Sequence, residues 1–219
     1  MLIQDILRYK FYIFDCDGVI LDSNQIKTES FKETLSDFED DLVNKFIEYH
    51  KNNGGISRFT KFQFFYENII GINKNQNIDE LLNKFNKIVF SKLCNANFIP
   101  GVISFIELLK KNNKKIYVVS GGLEKEIKEV FIKKNIYILF DEIFGSPTEK
   151  DIHTKKIISI NKNEHGVFFG DSKLDFDVAN DNYIDFVFIR EKSEWLNYNQ
   201  FMIKNIIENF NHYDGLFNL

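Results

Sequence analysis

Four short groups of residues in this chain have types and spacings that could do chemistry together. Two carboxylates stand one residue apart in Phe14-Asp15-Cys16-Asp17-Gly18-Val19, directly after an apolar run. A hydroxyl and two glycines follow another apolar run in Val118-Val119-Ser120-Gly121-Gly122. A cation ends Gly145-Ser146-Pro147-Thr148-Glu149-Lys150, and a second acidic pair spans Gly170-Asp171-Ser172-Lys173-Leu174-Asp175. Three or four carboxylates brought together repel one another unless a cation sits among them, and hard oxygen ligands with room for water suit Mg2+. The Ser120 hydroxyl, backbone N–H groups at Gly121-Gly122 and a helix N-terminus after them would make an anion site, to which Lys150 adds positive charge. A carboxylate nucleophile, a divalent cation and a phosphate cradle describe phosphoryl transfer, where catalysis is mostly positioning and charge neutralisation.

Such a gathering requires elements that end in one place. Five apolar runs, at Phe11–Phe14, 116–119, 142–144, 167–169 and 186–189, have the composition of buried strands. Between them Val102, Phe105, Ile106 and Leu109 repeat at helical spacing, as do Ile127, Val130 and Phe131, and Ile157 with Ile160. Strands alternating with helices predict an α/β fold with a Rossmann-like parallel-sheet core. Ligands bind at the carboxyl ends of such strands, where four of the five runs deliver their polar groups. From about Ser23 to Phe98 there are only helical patterns, broken by Gly54-Gly55 and Gly71. The expected organisation is therefore a core over 1–22 and 98–219 with an all-helical insertion over 23–97. Its hinge falls near 21–23 and 97–101, where Pro100-Gly101 marks the return to the sheet. The Asn- and Lys-rich stretches 73–77, 111–115 and 161–163 are expected as polar loops.

The bulk properties narrow the function. The 219 residues carry a net charge of -4 with a pI of about 5.7, and the lysine pairs are scattered among acids rather than gathered on one basic face. That argues against a nucleic-acid partner. The 24 Phe are expected to fill cores and pocket walls. Cys16 and Cys94 have no disulfide or metal spacing, Asp5 stands where a secretion signal would carry basic residues, and no apolar run is long enough to span a bilayer. Together these predict a reducing cytoplasm and no membrane association. Cys16, between two carboxylates, is expected to pack as a small apolar side chain, since its neighbours raise a thiol's pKa. The four histidines, His50, His153, His165 and His212, show no ligand spacing and are expected at the surface.

In this order the four motifs resemble those of the haloacid-dehalogenase superfamily, over a stretch covering most of the chain. Asp15-Cys16-Asp17-Gly18 is similar to its first motif, Val118 to Gly122 to its second, Lys150 to its third and Gly170-Asp171 to Asp175 to its fourth. The resemblance implies that Asp15 attacks phosphorus to form an aspartyl-phosphate, and that Asp17 protonates the leaving oxygen and then activates water. It implies Mg2+ held by Asp15, Asp171 and the Asp17 backbone carbonyl, with Asp175 as a further ligand or an acceptor behind them. Ser120, Gly121 and Lys150 would hold the phosphoryl oxygens. Lys155 and Lys156 compete with Lys150 but fall within a helical pattern, and the motif spacing selects Asp175 over Asp177. Because halide leaves without a proton, an acid at Asp17 favours phosphate esters over haloacids; such proton transfer contributes ~10²–10⁴-fold.

The insertion holds a further cluster, Gly54-Gly55-Ile56-Ser57-Arg58-Phe59-Thr60-Lys61-Phe62, which is a helix entry with Ser57 as N-cap. It also resembles the helical cap of phosphoglycolate phosphatase and β-phosphoglucomutase-like members, in which a Gly-x-Ser-Arg turn faces the active site. That implies substrate contact from Arg58 and Lys61, with Asn24 and Lys27 nearby. The expected activity is a Mg2+-dependent phosphatase acting on a small phosphorylated metabolite, a sugar phosphate or phospho-acid, under a cap that excludes water. Three alternatives stay open. One is a phosphomutase that returns the phosphoryl group to its product, another a phosphorylatable signalling or binding domain. The third is phosphonate cleavage through a Schiff base on Lys61.

Overall fold

The computed structural model describes residues 3–71 and 78–216, so the loop expected at 73–77 lies outside the described residues. In chain order the main elements are α1 (Ile3–Ile6), β1 (Phe11–Phe14), α2 (Asn24–Thr34), α3 (Asp40–Asn52), α4 (Arg58–Phe64), α5 (Asp79–Asn95) and α6 (Val102–Lys111). They continue with β2 (Lys115–Leu123), α7 (Glu124–Lys133), β3 (Glu142–Ser146), α8 (Lys150–Ile160), β4 (Gly166–Gly170), α9 (Lys173–Asp181), β5 (Asp185–Ile189) and β6 (Asn205–Ile207). The six strands form one sheet in the order β3-β2-β1-β4-β5-β6, and every pairing is parallel.

The sheet exists because its strands are apolar on both faces. Tyr12 and Phe14 of β1 point into one cluster with Val118, Phe169 and Phe105, while Phe11 and Ile13 point into another with Val119, Phe168 and Ile157. Helices cover both faces, so alternation of apolar and polar residues is lost and a continuous apolar run remains. The sheet order reverses at β1, with β2 on one side and β4 on the other. That leaves a crevice at the carboxyl ends of β1 and β4.

Two elements differ from expectation. β2 does not stop at 119 but runs through Ser120-Gly121-Gly122 to Leu123, re-pairing with β3 at Leu123↔Ser146 beyond an irregularity. The glycines are extended strand, and α7 starts only at Glu124. A helix N-terminus does follow the glycines, with Leu123 as the N-cap of α7. β6, three residues at the sheet edge, was not expected at all; a half-exposed edge strand of that length carries no apolar run.

Between β1 and β2 the described residues form helices and no strand except the bridges that flank them. α4 is capped by the Ser57 hydroxyl, which accepts from the Thr60 N–H at 3.3 Å, and it continues into a π-helical turn over Phe65–Ile70. The insert has its own aromatic centre, with Phe31, Phe46, Phe62, Phe65 and Phe85 buried and the Phe31 and Phe85 rings stacked at 4.2 Å. Its two crossings to the sheet lie side by side. Leu21 bridges Phe98, the Asp22 N–H donates to the Asn97 carbonyl at 2.9 Å, and the Ile99 N–H donates to the Ile20 carbonyl at 3.0 Å. Among the described residues no helix is long and apolar enough to cross a membrane.

Candidate active site

β1 delivers Asp15 to the crevice, and its N–H extends the sheet by donating to the Phe169 carbonyl at 2.9 Å. The carboxylate is buried and has Lys150 Nζ 2.9 Å from Oδ2. Lys150, at the start of α8, also donates to Asp175 Oδ1 at 2.6 Å. Asp175 in turn accepts at Oδ2 from the Ser172 N–H at 3.1 Å and the Ser172 hydroxyl at 2.7 Å, in a reciprocal capping box that opens α9. Both Asp175 oxygens thus have protein partners, and Asp175 acts as the anchor of Lys150. Gly170 allows this packing, since a Cβ there would lie 2.3 Å from Asp175 Cβ.

Asp171, just past β4, faces Asp15 across the crevice. Oxygens of Asp15, Asp171 and Asp175 all lie within 4.8 Å of one another. The turn after Asp17 must pass close to this group: Gly18 has φ +72°, and a Cβ there would sit 2.1 Å from Asp171 Oδ2. Asn24 donates to the same oxygen at 2.6 Å. Burial pushes the Asp15 carboxyl up to about 7, with Asp175 and Asp17 adding to the rise and Lys150 opposing it. Asp171 is raised well above the usual range by burial and by its acidic neighbours. Two buried carboxyls whose ionisation is opposed first by burial and then by acidic neighbours are a donor set that a hard divalent cation would satisfy, so the residues present fit Mg2+.

Asp17 is placed differently from that acidic group. Its carboxylate accepts from the Ser23 hydroxyl at 2.6 Å and is paired with Lys27. Burial raises its pKa, but Lys27 and the Ser23 hydrogen bond outweigh that and hold it below the normal value. Ser120 is buried at the bend of β2, where its Oγ accepts from the Gly122 N–H at 3.0 Å. The rivals lie elsewhere: Lys155 pairs with Asp151 in solvent, Lys156 sits over the Phe144 ring, and Asp177 pairs with exposed Lys173. Cys16 is buried and its thiol is pushed up, first by burial and then by Asp17.

The insert closes over the crevice. Its Gly54-Gly55 turn meets the sheet at Gly121, where a Cβ would lie 2.0 Å from the Gly55 carbonyl oxygen. A Cβ on Gly55, at φ +80°, would be 3.0 Å from Ser172 Oγ. Beneath lies a cavity of about 440 Å³ lined by Asp15, Asp17, Asp171 and Gly121 from the sheet side and by Lys61, His50 and Phe31 from the insert. Arg58, expected as a substrate contact, lines this cavity too, with its charge already paired inside the protein. It is buried, donates to Glu126 Oε2 at 2.9 Å and pairs with Oε1, and also contacts Asn86. Its charge is answered from α7 and that of Lys27 by Asp17, so Lys61 is the buried insert cation on the cavity wall without a carboxylate partner among the described residues.

Some lining residues carried no sequence signal. The loop after β5 contributes Glu194, Trp195, Leu196 and Phe201 to the cavity. Two histidines are buried rather than at the surface. His50 contacts Thr28 and Lys61, and His153 Nε2 lies 3.0 Å from the Gly145 carbonyl oxygen. A lone histidine shows nothing of partners that lie on other helices.

A parallel sheet in this order, with carboxylates at the adjoining ends of β1 and β4 beneath a helical insert, defines an α/β class with an acidic cluster in the crevice where such folds bind ligands. The chain belongs to the haloacid dehalogenase-like hydrolase family, whose model matches residues 12–189. No curated protein matches it. Among solved structures it is similar to a haloacid dehalogenase-like hydrolase from Streptococcus pneumoniae, with a TM-score of 0.69 at 20% identity over 95% of this chain and 98% of the other. A predicted phosphoglycolate phosphatase from Haemophilus somnus gives 0.73 at 18% identity, over 95% and 97%. A mutant of CbbY from Rhodobacter sphaeroides, in complex with xylulose-(1,5)bisphosphate, gives 0.69 at 12% identity, over 92% and 95%. At these identities the likeness is one of fold.

Proposed function

We propose that this protein is a Mg2+-dependent phosphatase of small phosphorylated metabolites, working through an aspartyl-phosphate on Asp15. The observation that carries this reading is the arrangement around Asp15: a buried carboxylate on the sheet crevice, 2.9 Å from Lys150, with Asp171 close by and Asp17 held on the cavity wall. Family membership and the phosphatase names among similar folds support it.

Lys150, anchored by Asp175, keeps Asp15 oriented and offers positive charge to the incoming phosphoryl oxygens, as do the Ser120 hydroxyl and the Gly121 N–H. Asp15 and Asp171, with the Asp17 backbone carbonyl, would hold Mg2+. When bound, that ion supplies charge neutralisation at the phosphoryl group. An Asp15 carboxylate oxygen attacks phosphorus and the ester oxygen leaves with a proton from Asp17. Asp17 then takes a proton from the water that hydrolyses the aspartyl-phosphate. As found, Asp17 is in its base form because Lys27 pairs with it. Its acid form requires Lys27 to turn towards the substrate phosphate, which couples substrate entry to protonation. The seated insert excludes bulk water and macromolecular esters. Free thiols at Cys16 and Cys94 agree with a reducing compartment, and we place the protein in the cytoplasm.

The test is phosphate release from a panel of sugar phosphates, phosphoglycolate and nucleoside monophosphates with Mg2+, for wild type and Asp15→Asn. Release is expected to fall to background in the variant. Full activity in Asp15→Asn sinks the mechanism, and isomerised product without free phosphate would assign a mutase instead.

A further inference from the structure

Three cations are fully buried among the described residues: Arg58, Lys61 and Lys150. Arg58 is paired with Glu126, and Lys150 with Asp15 and Asp175. Lys61 has no carboxylate partner among the described residues. Its Nζ instead lies 2.7 Å from His50 Nδ1 and 3.3 Å from the His50 carbonyl oxygen, 5.9 Å from the centre of the Phe31 ring. A buried, uncompensated cation is costly. This one borders the same cavity as Asp15.

The contacts fix the histidine's state. An amine donating to Nδ1 requires the lone pair there, so the ring proton is on Nε2, which donates to Thr28 Oγ1 at 3.0 Å. Burial, then Lys61, forces the imidazole to stay neutral. A neutral ring braced by Thr28 therefore grips the amine from one side. An ammonium has three hydrogens, and His50 receives two of them.

We propose that His50 is a positioning residue that, with Thr28 behind it, holds Lys61 as the receptor for a second oxyanion on the substrate, remote from the phosphoryl group. The inference rests on the phosphatase reading and narrows its substrate class to phosphate esters that carry a further carboxylate or phosphate. The oxyanion supplies the partner that Lys61 lacks, and a proton enters with it. Burial, followed by Lys27, lowers the amine to about 7, so it begins to lose that proton near neutrality. The charges facing it are Lys27 from α2, Asp17 after β1, Lys150 from α8 and Glu194 from the loop after β5, with Lys51 acting on His50 from α3.

The probes are 2-phosphoglycolate with a carboxylate, a ketose bisphosphate with a second phosphate, and phenyl phosphate with neither. The first two separate the sources of the oxyanion. The readout is kcat/KM for each of the first two divided by that for phenyl phosphate, between pH 6 and 9. In wild type one ratio should fall about tenfold per pH unit above about 7, as the amine loses its proton. His50→Leu and Lys61→Met should each lower it ~10–100-fold at pH 6.5, the loss of a charged hydrogen bond. Lys61→Arg, always charged, should restore part of the ratio and flatten its pH dependence. Lys61→Met keeps the test open if His50→Leu fails to fold. Ratios equal in wild type and variants, or flat with pH, overturn the proposal. If wild type turns over none of the probes, the phosphatase reading fails separately. Calorimetry at pH 7 in two buffers then decides this one: a larger proton uptake for a doubly anionic probe than for phenyl phosphate supports it, and no difference overturns it.

Discussion

The Arg58–Glu126 pair joins α4 of the insert to α7 beside the sheet, with side chains 3% and 6% exposed. Glu126→Ala would leave the guanidinium buried with only the Asn86 oxygen and the Phe85 ring, 4.7 Å away, as company. Removing one partner of a buried pair costs ~3–5 kcal/mol. Asn86 and the ring keep part of the compensation, so the lower end, about 3 kcal/mol, applies here. For a chain of this size each kcal/mol moves the melting temperature ~2–4 °C, so the variant should melt about 6–12 °C lower. The double variant Arg58→Met/Glu126→Leu removes both charges and fills the space, and should recover to within ~1 kcal/mol of wild type. The only tryptophan, Trp195, lines the cavity and packs on Phe176, Phe188 and Phe201, so its fluorescence during thermal and urea unfolding follows the loss of that packing. A Glu126→Ala loss below about 2 °C, or a double variant no more stable than the single, would refute the view that this pair fastens insert to core.

Three further outcomes follow from the site. Gly121→Val places side-chain atoms where the Gly55 carbonyl oxygen now sits, so the insert cannot seat; activity should fall ~10²-fold while circular dichroism of the sheet persists. Lys150→Met leaves Asp15 and Asp175 facing each other without their cation. Phosphate release should cease and the metal-free protein should lose ~3–5 kcal/mol in denaturant titrations, part of it regained on adding Mg2+. Chelation of divalent ions should abolish phosphate release reversibly, and Mg2+ should raise the melting temperature of wild type but not of Asp171→Asn.

What could be seen in the sequence follows from how local each cause is. Phe11–Phe14 announces itself because burial on both faces demands four apolar residues in a row. The acidic motifs are legible because each sits within a few residues of a strand end. The extension of β2 through Gly121-Gly122 is hidden, since glycine normally ends an element, and here its missing side chain makes room for the insert's backbone. Arg58 is visible as a charge, yet its partner stands 68 residues away on α7, and no spacing rule connects them. The same holds for His50, whose place between Thr28 and Lys61 depends on three helices packing together.

The paired crossings at Ile20–Asp22 and Asn97–Ile99 have a wider consequence. Because the insert leaves and returns through adjacent, hydrogen-bonded segments, the sheet sees it as a single closed loop whatever its contents. Loop-closure entropy changes by only ~0.6 kcal/mol per doubling of length. A lid of another size or composition could be grafted between these two points with little penalty to the sheet. Here the carboxylates at the sheet end of the cavity and the insert residues that line its other side lie on separately replaceable segments.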